Sequence, residues 1–146
     1  MSTLATLPPW ATELLRSAPV GHLGLLDERG HPRVQPVTFA LVGDRLYSAV
    51  DHKPKRVAPD RLARVRRLRR DPRAALTVDH YDVDWSRLAW VQVLGEVEIL
   101  TADASPDAVG ALCSKYPAYT EAPPAGPMLA LRPERALYWS ASSRSD

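Results

Sequence analysis

The sequence predicts a mainly β protein, an antiparallel barrel of six or seven strands with flanking helices. Short runs that alternate apolar and polar residues recur between turn signals such as Glu28-Arg29-Gly30-His31 and Gly43-Asp44. Most of these runs are close enough in sequence to be joined as hairpins, and only two longer helical patterns interrupt them. That linkage argues against alternating βαβ units, and the seven scattered glycines form no Gly-rich phosphate loop of Rossmann or Walker spacing.

Pro8-Pro9 opens a short helix through Arg16, with Trp10, Leu14 and Leu15 as candidates for its inward face. Ser17-Ala18-Pro19 ends it, because a residue before proline avoids helical backbone. Strands follow at Gly21–Asp27, at Pro32–Leu41, alternating through Val34, Pro36 or Val37, and Phe39, and at Arg45–Val50. Gly43-Asp44 joins the last two, Gly supplying the positive φ that a two-residue hairpin needs. A helix begins at Pro59-Asp60, carries a narrow apolar stripe through Leu62, Val65 and Leu68, and stops at Asp71-Pro72. Ala74–Asp79 is the next strand, His80–Ser86 a polar loop, and Leu88–Leu100 a long strand with a bend or bulge at Gly95. Ser105-Pro106-Asp107 starts a further helix, with Ala108, Val109, Leu112 and Tyr116 facing in. Residues 117–127 read as a Pro-rich loop. Met128–Leu131 and Ala136–Ser140 read as two short strands divided by Arg132-Pro133-Glu134-Arg135, and Ser142–Asp146 as a frayed end.

A length of 146 residues implies one domain, 1–146, with a real core and no room for a second. No apolar run approaches the roughly 20 residues of a membrane span, and the opening MSTLATLPPWATELL lacks the basic and apolar regions of a secretory signal. A cytoplasmic protein is expected. The one cysteine, Cys113, excludes an internal disulfide and a Cys-based zinc site, and reads as a small buried hydrophobe.

Charge is the most informative departure from an average composition. Between Lys53 and Arg73 ten Lys or Arg face two acids, Asp60 and Asp71, so this block carries +8 while the whole chain carries +2. Positive charge gathered in one place suits a polyanionic ligand. The chain has sixteen Arg and three Lys, and two of those lysines, Lys53 and Lys55, flank Pro54 just after a strand end. Compact ammonium groups on flexible stems suit a phosphate met as a point charge.

Four segments carry a family resemblance: Pro32-Arg33-Val34-Gln35-Pro36-Val37; Leu46-Tyr47-Ser48-Ala49-Val50 before HKPKR; Leu68-Arg69-Arg70-Asp71-Pro72-Arg73 running into Ala74-Ala75-Leu76; and Trp90-Val91-Gln92-Val93-Leu94-Gly95-Glu96. In order and spacing they resemble the pyridoxamine 5′-phosphate oxidase-like flavin and deazaflavin enzymes of the split β-barrel superfamily. The resemblance implies that Arg33, Val34, Gln35, Pro36, Val37 and Thr38 lie along the cofactor ring and its ribityl chain. It places Tyr47 and Ser48 near ribityl and phosphate, and Lys53, Lys55 and Arg56 near the phosphate-binding basic pair. Anchoring the comparison on the helix end instead puts that pair at Ala63-Arg64, making Arg64 a second candidate. The oxidases carry a glutamine near the position of Trp90 and a basic substrate motif near their C-terminus, where this chain has Tyr138-Trp139-Ser140. Vitamin B6 oxidation is therefore disfavoured. The Asp79–Trp90 segment, DHYDVDWSRLAW, is more similar to the branch that uses coenzyme F420, a deazaflavin with a phosphodiester and glutamate tail.

The implied activity is hydride transfer between F420 and a small electron-poor acceptor, in a homodimer that holds the cofactor between subunits, the alternative being an FMN-binding oxidoreductase or flavin carrier. The protein then needs no nucleophile. Trp90 and Gln35 to Val37 would shape the ring pocket. His52 and Tyr47 are candidate proton donors, beside bulk water. His80, Asp82 and Asp84 alternate in a way that invites a metal, but the glycine and distal Glu of a calcium loop are missing, so no metal is expected. Trp85, Trp90 and Trp139 read as core or dimer-interface residues. The helix over 61–73 could also track nucleic-acid phosphates, but the basic block has no aromatic residue for base stacking, so that reading ranks third.

Overall fold

The computed structural model describes residues 3–50 and 59–142, the side chains of 59–62 excepted. After a 3-10 turn at Thr3–Thr6 come α1 (Pro9–Ser17), β1 (Gly21–Leu26), β2 (Pro32–Val37), β3 (Ala40–Val42) and β4 (Arg45–Ala49). They are followed by α2 (Pro59–Arg70), β5 (Arg73–His80), a second 3-10 turn (Trp85–Arg87) and β6 (Ala89–Thr101). The chain continues through α3 (Pro106–Lys115), α4 (Pro117–Glu121) and β7 (Pro127–Ser140). Seven strands form one sheet in the order β2-β1-β5-β6-β7-β4-β3, with every pairing antiparallel.

The order has a geometric consequence. In a flat sheet, six strand spacings of about 4.8 Å would hold the two edges roughly 29 Å apart. The edges β2 and β3 are consecutive strands joined only by Thr38-Phe39, a link that reaches at most roughly 11 Å. The sheet must therefore curl until its edges approach at that corner.

Inside the curl, Phe39, Leu76, Val78, Val91, Val93 and Leu68 pack with Ala11 and Leu15 of α1. Burial of each large side chain contributes about 1.5–3 kcal/mol. A second cluster, Ala40, Ala49, Ala108, Leu112 and Met128, lies under α3.

Four expectations are corrected. The strand expected over Pro32–Leu41 breaks at Thr38-Phe39, where the chain leaves one sheet edge for the other. The two C-terminal strands are one, β7, because the Arg132–Arg135 segment is a bulge and not a turn: Leu94 pairs with Arg135 and Gly95 with Pro133, leaving Glu134 as the extra residue. The segment expected as loop contains α4, with Pro117 in its first turn. On α1 the fully buried residues are Ala11 and Leu15, while Trp10 and Leu14 are partly covered.

The bulge expected at Gly95 is there. A Cβ on Gly95 would collide with the backbone carbonyl of Arg132, so the position admits no side chain without moving β7. Gly43, at φ 61, opens the β3–β4 hairpin as expected.

Candidate functional site

β2 is an edge strand, paired only to β1. Arg33, Gln35 and Val37 turn toward the barrel interior, and Pro32, Val34 and Pro36 turn out, Val34 being 64% exposed. Proline cannot donate to a ladder, so prolines at 32 and 36 place the backbone groups that point off the sheet at positions 32, 34 and 36. A planar heterocycle could lie against such a row.

α2 packs across β1 and β6, and Val65 and Leu68 seat it on the core. Its Arg64 is 8% exposed, and Nη2 donates to Gln35 Oε1 at 2.6 Å. A guanidinium is costly to bury unless its donors are used. The contact brings together two residues selected from sequence, the ring-strand Gln35 and the second phosphate candidate Arg64. One turn further along, Arg67 Nε donates to Glu28 Oε2 at 3.2 Å, so the helix follows the β1–β2 hairpin toward its turn. Its own backbone N–H, and after it the hydrogen bond from Arg67, keep the Glu28 carboxyl below its usual range.

Asp27 ties that turn by accepting from the amides of Arg29 and His31, both at 2.9 Å, and these amides lower its pKa. Between the turn and α2 lies a crevice of about 360 Å³ lined by Asp27, Glu28, Arg66, Arg67, Arg70 and Arg73 among others. Arg73 is bound to Asp71 at 2.7 Å, and Arg70 adds its charge beside the same carboxylate.

The corner between β2 and β3 forms a second polar centre. Ser48 Oγ donates to the Thr38 carbonyl at 2.7 Å, and Thr38 Oγ1 lies 2.8 Å from the Tyr119 hydroxyl. Phe39 N donates to the Tyr116 hydroxyl at 3.1 Å, and Lys115 Nζ donates to the Phe39 carbonyl at 3.0 Å. Ser48 thus faces the corner from inside. Tyr47, next in sequence, points the other way and packs in the cluster under α3 with Tyr116 and Tyr119.

Of the remaining residues selected from sequence, Trp90 alternates with Val91 and lies on the outer sheet face beside Asp79 and Trp139. It is separated from Gln35 and Arg64 by the sheet itself. Trp85 and Trp139 are exposed, at 75% and 46%, so neither is a core residue of this chain. His52, Lys53, Lys55 and Arg56 lie outside the described residues. Asp82 and Asp84 serve the β5–β6 loop, accepting from the backbone of Asp84 and Ser86. Cys113 is only partly buried, its thiol directed at the Tyr119 carbonyl at 3.3 Å.

Sequence reasoning missed Lys115, Tyr116 and Tyr119 as polar partners of the Thr38-Phe39 link that follows β2. A signal existed: the lysine-poor composition that drew attention to Lys53 and Lys55 leaves Lys115 as the third and last lysine.

This arrangement has known counterparts. The family model described as pyridoxamine 5′-phosphate oxidase matches residues 7–140, and the chain belongs to that family. Its fold is the split β-barrel of that class. Among solved structures, a conserved hypothetical protein from Mycobacterium tuberculosis is similar at 17% identity and TM-score 0.73, covering 93% of this chain and 86% of the other. A structure described as an F420 reductase is 24% identical with TM-score 0.67, over 90% of this chain and 98% of its own. A heme binding protein from Mycobacterium smegmatis is 25% identical with TM-score 0.71, over 97% of this chain and 58% of its own. No curated protein matches the sequence. Among the described residues no helix is long and apolar enough to cross a membrane.

Proposed function

We propose that the protein is an F420-dependent oxidoreductase that transfers hydride between the deazaflavin and a small electron-poor acceptor. The observation that carries this reading is the buried Arg64, fixed on Gln35 beside an open strand edge. It supplies a cation beside a strand whose outward backbone groups suit a planar ring. Membership in an oxidase family and similarity to a structure described as an F420 reductase support it. The fold does not choose the cofactor, since another relative is described as binding heme. The choice rests on the arginines: the crevice holding Arg66 and Arg70 gives an extended polycarboxylate tail a place that the short FMN chain does not need.

When bound, the deazaflavin supplies two-electron hydride chemistry. The chain's own residues would orient and shield it. β2 holds the ring edge, Arg64, Lys53, Lys55 and Arg56 take phosphate or tail, and Ser48 steadies the strand end through the Thr38 carbonyl, while Tyr47, on the opposite face of β4, stands apart from it. Trp90, on the opposite face of the sheet, would reach the ring only of a second copy, in keeping with the homodimer that the family resemblance implies. Exposed Val34 and Trp139 on that face favour such a contact.

The test is titration of purified protein with F420 and with FMN. F420 should bind with altered fluorescence, and FMN should not travel with the protein as yellow absorbance. Retained FMN with no F420 binding would reverse the assignment. In the same assay, Lys55→Ala is expected to weaken F420 binding by about tenfold, the scale of one charge-assisted contact. Unchanged affinity would remove Lys55 from the site.

A further inference from the structure

A lysine in the last turn of a helix ordinarily extends into water. Lys115 instead folds back over the Phe39 ring, with Nζ 3.8 Å from the ring centroid and 5.4 Å from that of Tyr116, and donates to the Phe39 carbonyl. It is half-buried and makes no ion pair with a carboxylate among the described residues. The elements packed most closely on α3 are β3 and α4, and the cluster beneath it adds Tyr47 and Ala49 of β4, Leu100 of β6 and Met128 of β7. Ala40-Leu41-Val42 of β3 has no titratable group, and α4 brings Tyr119 and Glu121. Tyr116 and Tyr47 lie in the same cluster, and Cys113 of α3 directs its thiol at the Tyr119 carbonyl.

Its partner is the two-residue link that ends β2. Thr38 and Phe39 are held by four side chains: Ser48 from β4, Lys115 from α3, Tyr116 that follows it, and Tyr119 from α4. The Tyr116 hydroxyl accepts from Phe39 N and lies 2.9 Å from the Pro19 carbonyl and 3.2 Å from that of Phe39, so its single proton serves one carbonyl at a time. When it serves Pro19, Lys115 alone holds the Phe39 carbonyl.

We propose that Lys115 is a positioning residue for cofactor binding: by holding the Phe39 carbonyl it fixes the end of β2 against which the ring lies. The proposal rests on the functional reading above. Burial without a carboxylate lowers the lysine pKa from 10.5 to about 8. The charge-assisted bond and the cation–π contact are therefore both present at neutral pH and lost within the accessible alkaline range.

The test compares wild type, Lys115→Met and Lys115→Arg. Amide exchange at Phe39 is measured without cofactor, and F420 and FMN affinities are measured by fluorescence from about pH 7 to about pH 9.5. Wild-type affinity is expected to fall severalfold across that range. Lys115→Met should exchange Phe39 faster and bind the cofactor about tenfold more weakly at every pH. Lys115→Arg should restore neutral-pH affinity and flatten the pH profile, since arginine stays charged. Lys115→Met that matches wild type in exchange and affinity, or Lys115→Arg that keeps the wild-type pH profile, would overturn the positioning role alone. Wild type that binds neither cofactor would sink the functional reading and this role with it.

Discussion

Gly95→Ala is expected to destabilise the protein by about 3 kcal/mol, at the upper end of the usual cost of overpacking. β6 and β7 are the two longest strands, and they pair from Ala89–Ser140 to Thr101–Pro127. The register shift after Leu94 sits inside that ladder, and an alanine Cβ would strike the backbone of Arg132 and Pro133. A rotamer change cannot relieve a backbone collision, so β7 must move and pairs on both sides must loosen. For a chain of this length the midpoint should drop by roughly 6–12 °C in a thermal melt. Gly110→Ala is the matched control. It lies in α3 with nothing within 4 Å of an added Cβ, and should stabilise by about 0.5–1 kcal/mol through helix propensity and a less free unfolded chain. If both variants melt alike, the bulge does not govern stability.

Arg64→Met is expected to lower cofactor affinity by about thirtyfold, the largest loss of any single site cation, because a desolvated charge acts more strongly than a solvated one. Arg64→Lys should recover only part of it. The guanidinium can donate to Gln35 Oε1 with one nitrogen and to a phosphate with another, whereas an ammonium offers a single point at shorter reach. Circular dichroism of both variants separates a binding loss from unfolding. The pair also decides between the two registers open in the sequence. Arg64→Met with wild-type affinity, alongside a Lys55→Ala variant that cannot bind, would assign the phosphate to the lysine segment.

Lys115 and its neighbours bear on stability as well. Its folded pKa lies below its unfolded value, so between about 8 and 10.5 the unfolded chain holds the extra proton and stability rises with pH. Below that window both states are charged and the burial penalty is fully present. Burial raises the Tyr116 pKa above 10.0, which has the opposite effect once unfolded tyrosine ionises. A urea midpoint that increases between about pH 8 and about pH 10 in wild type but not in Lys115→Met is the expected signature.

Most of the fold was legible because strand alternation, turn residues and Gly95 act locally. The break at Thr38-Phe39 was not, since the alternation continues through it and the groups that enforce it, Lys115, Tyr116 and Tyr119, lie 76 or more residues away. Pro133 made β7 look like two strands, because a proline in a strand interior signals a turn unless a bulge frees its position. On α2, Val65 and Leu68 of the expected stripe are buried, but periodicity could not show that Arg64 would be buried with them. Its partner, Gln35, lies on β2, 29 residues earlier in the chain.

The prolines of β2 have a bearing on solubility. A row of unsatisfied backbone groups on a sheet edge invites strands from neighbouring molecules to add on, which is a route to aggregation. At the three outward positions of this edge, Pro32 and Pro36 have no N–H and only Val34 can donate. An incoming strand would find two of the three N–H donors of that edge missing, whereas a small planar molecule can make do with one donor and a few carbonyls. The same edge can therefore admit a ligand while resisting polymerisation.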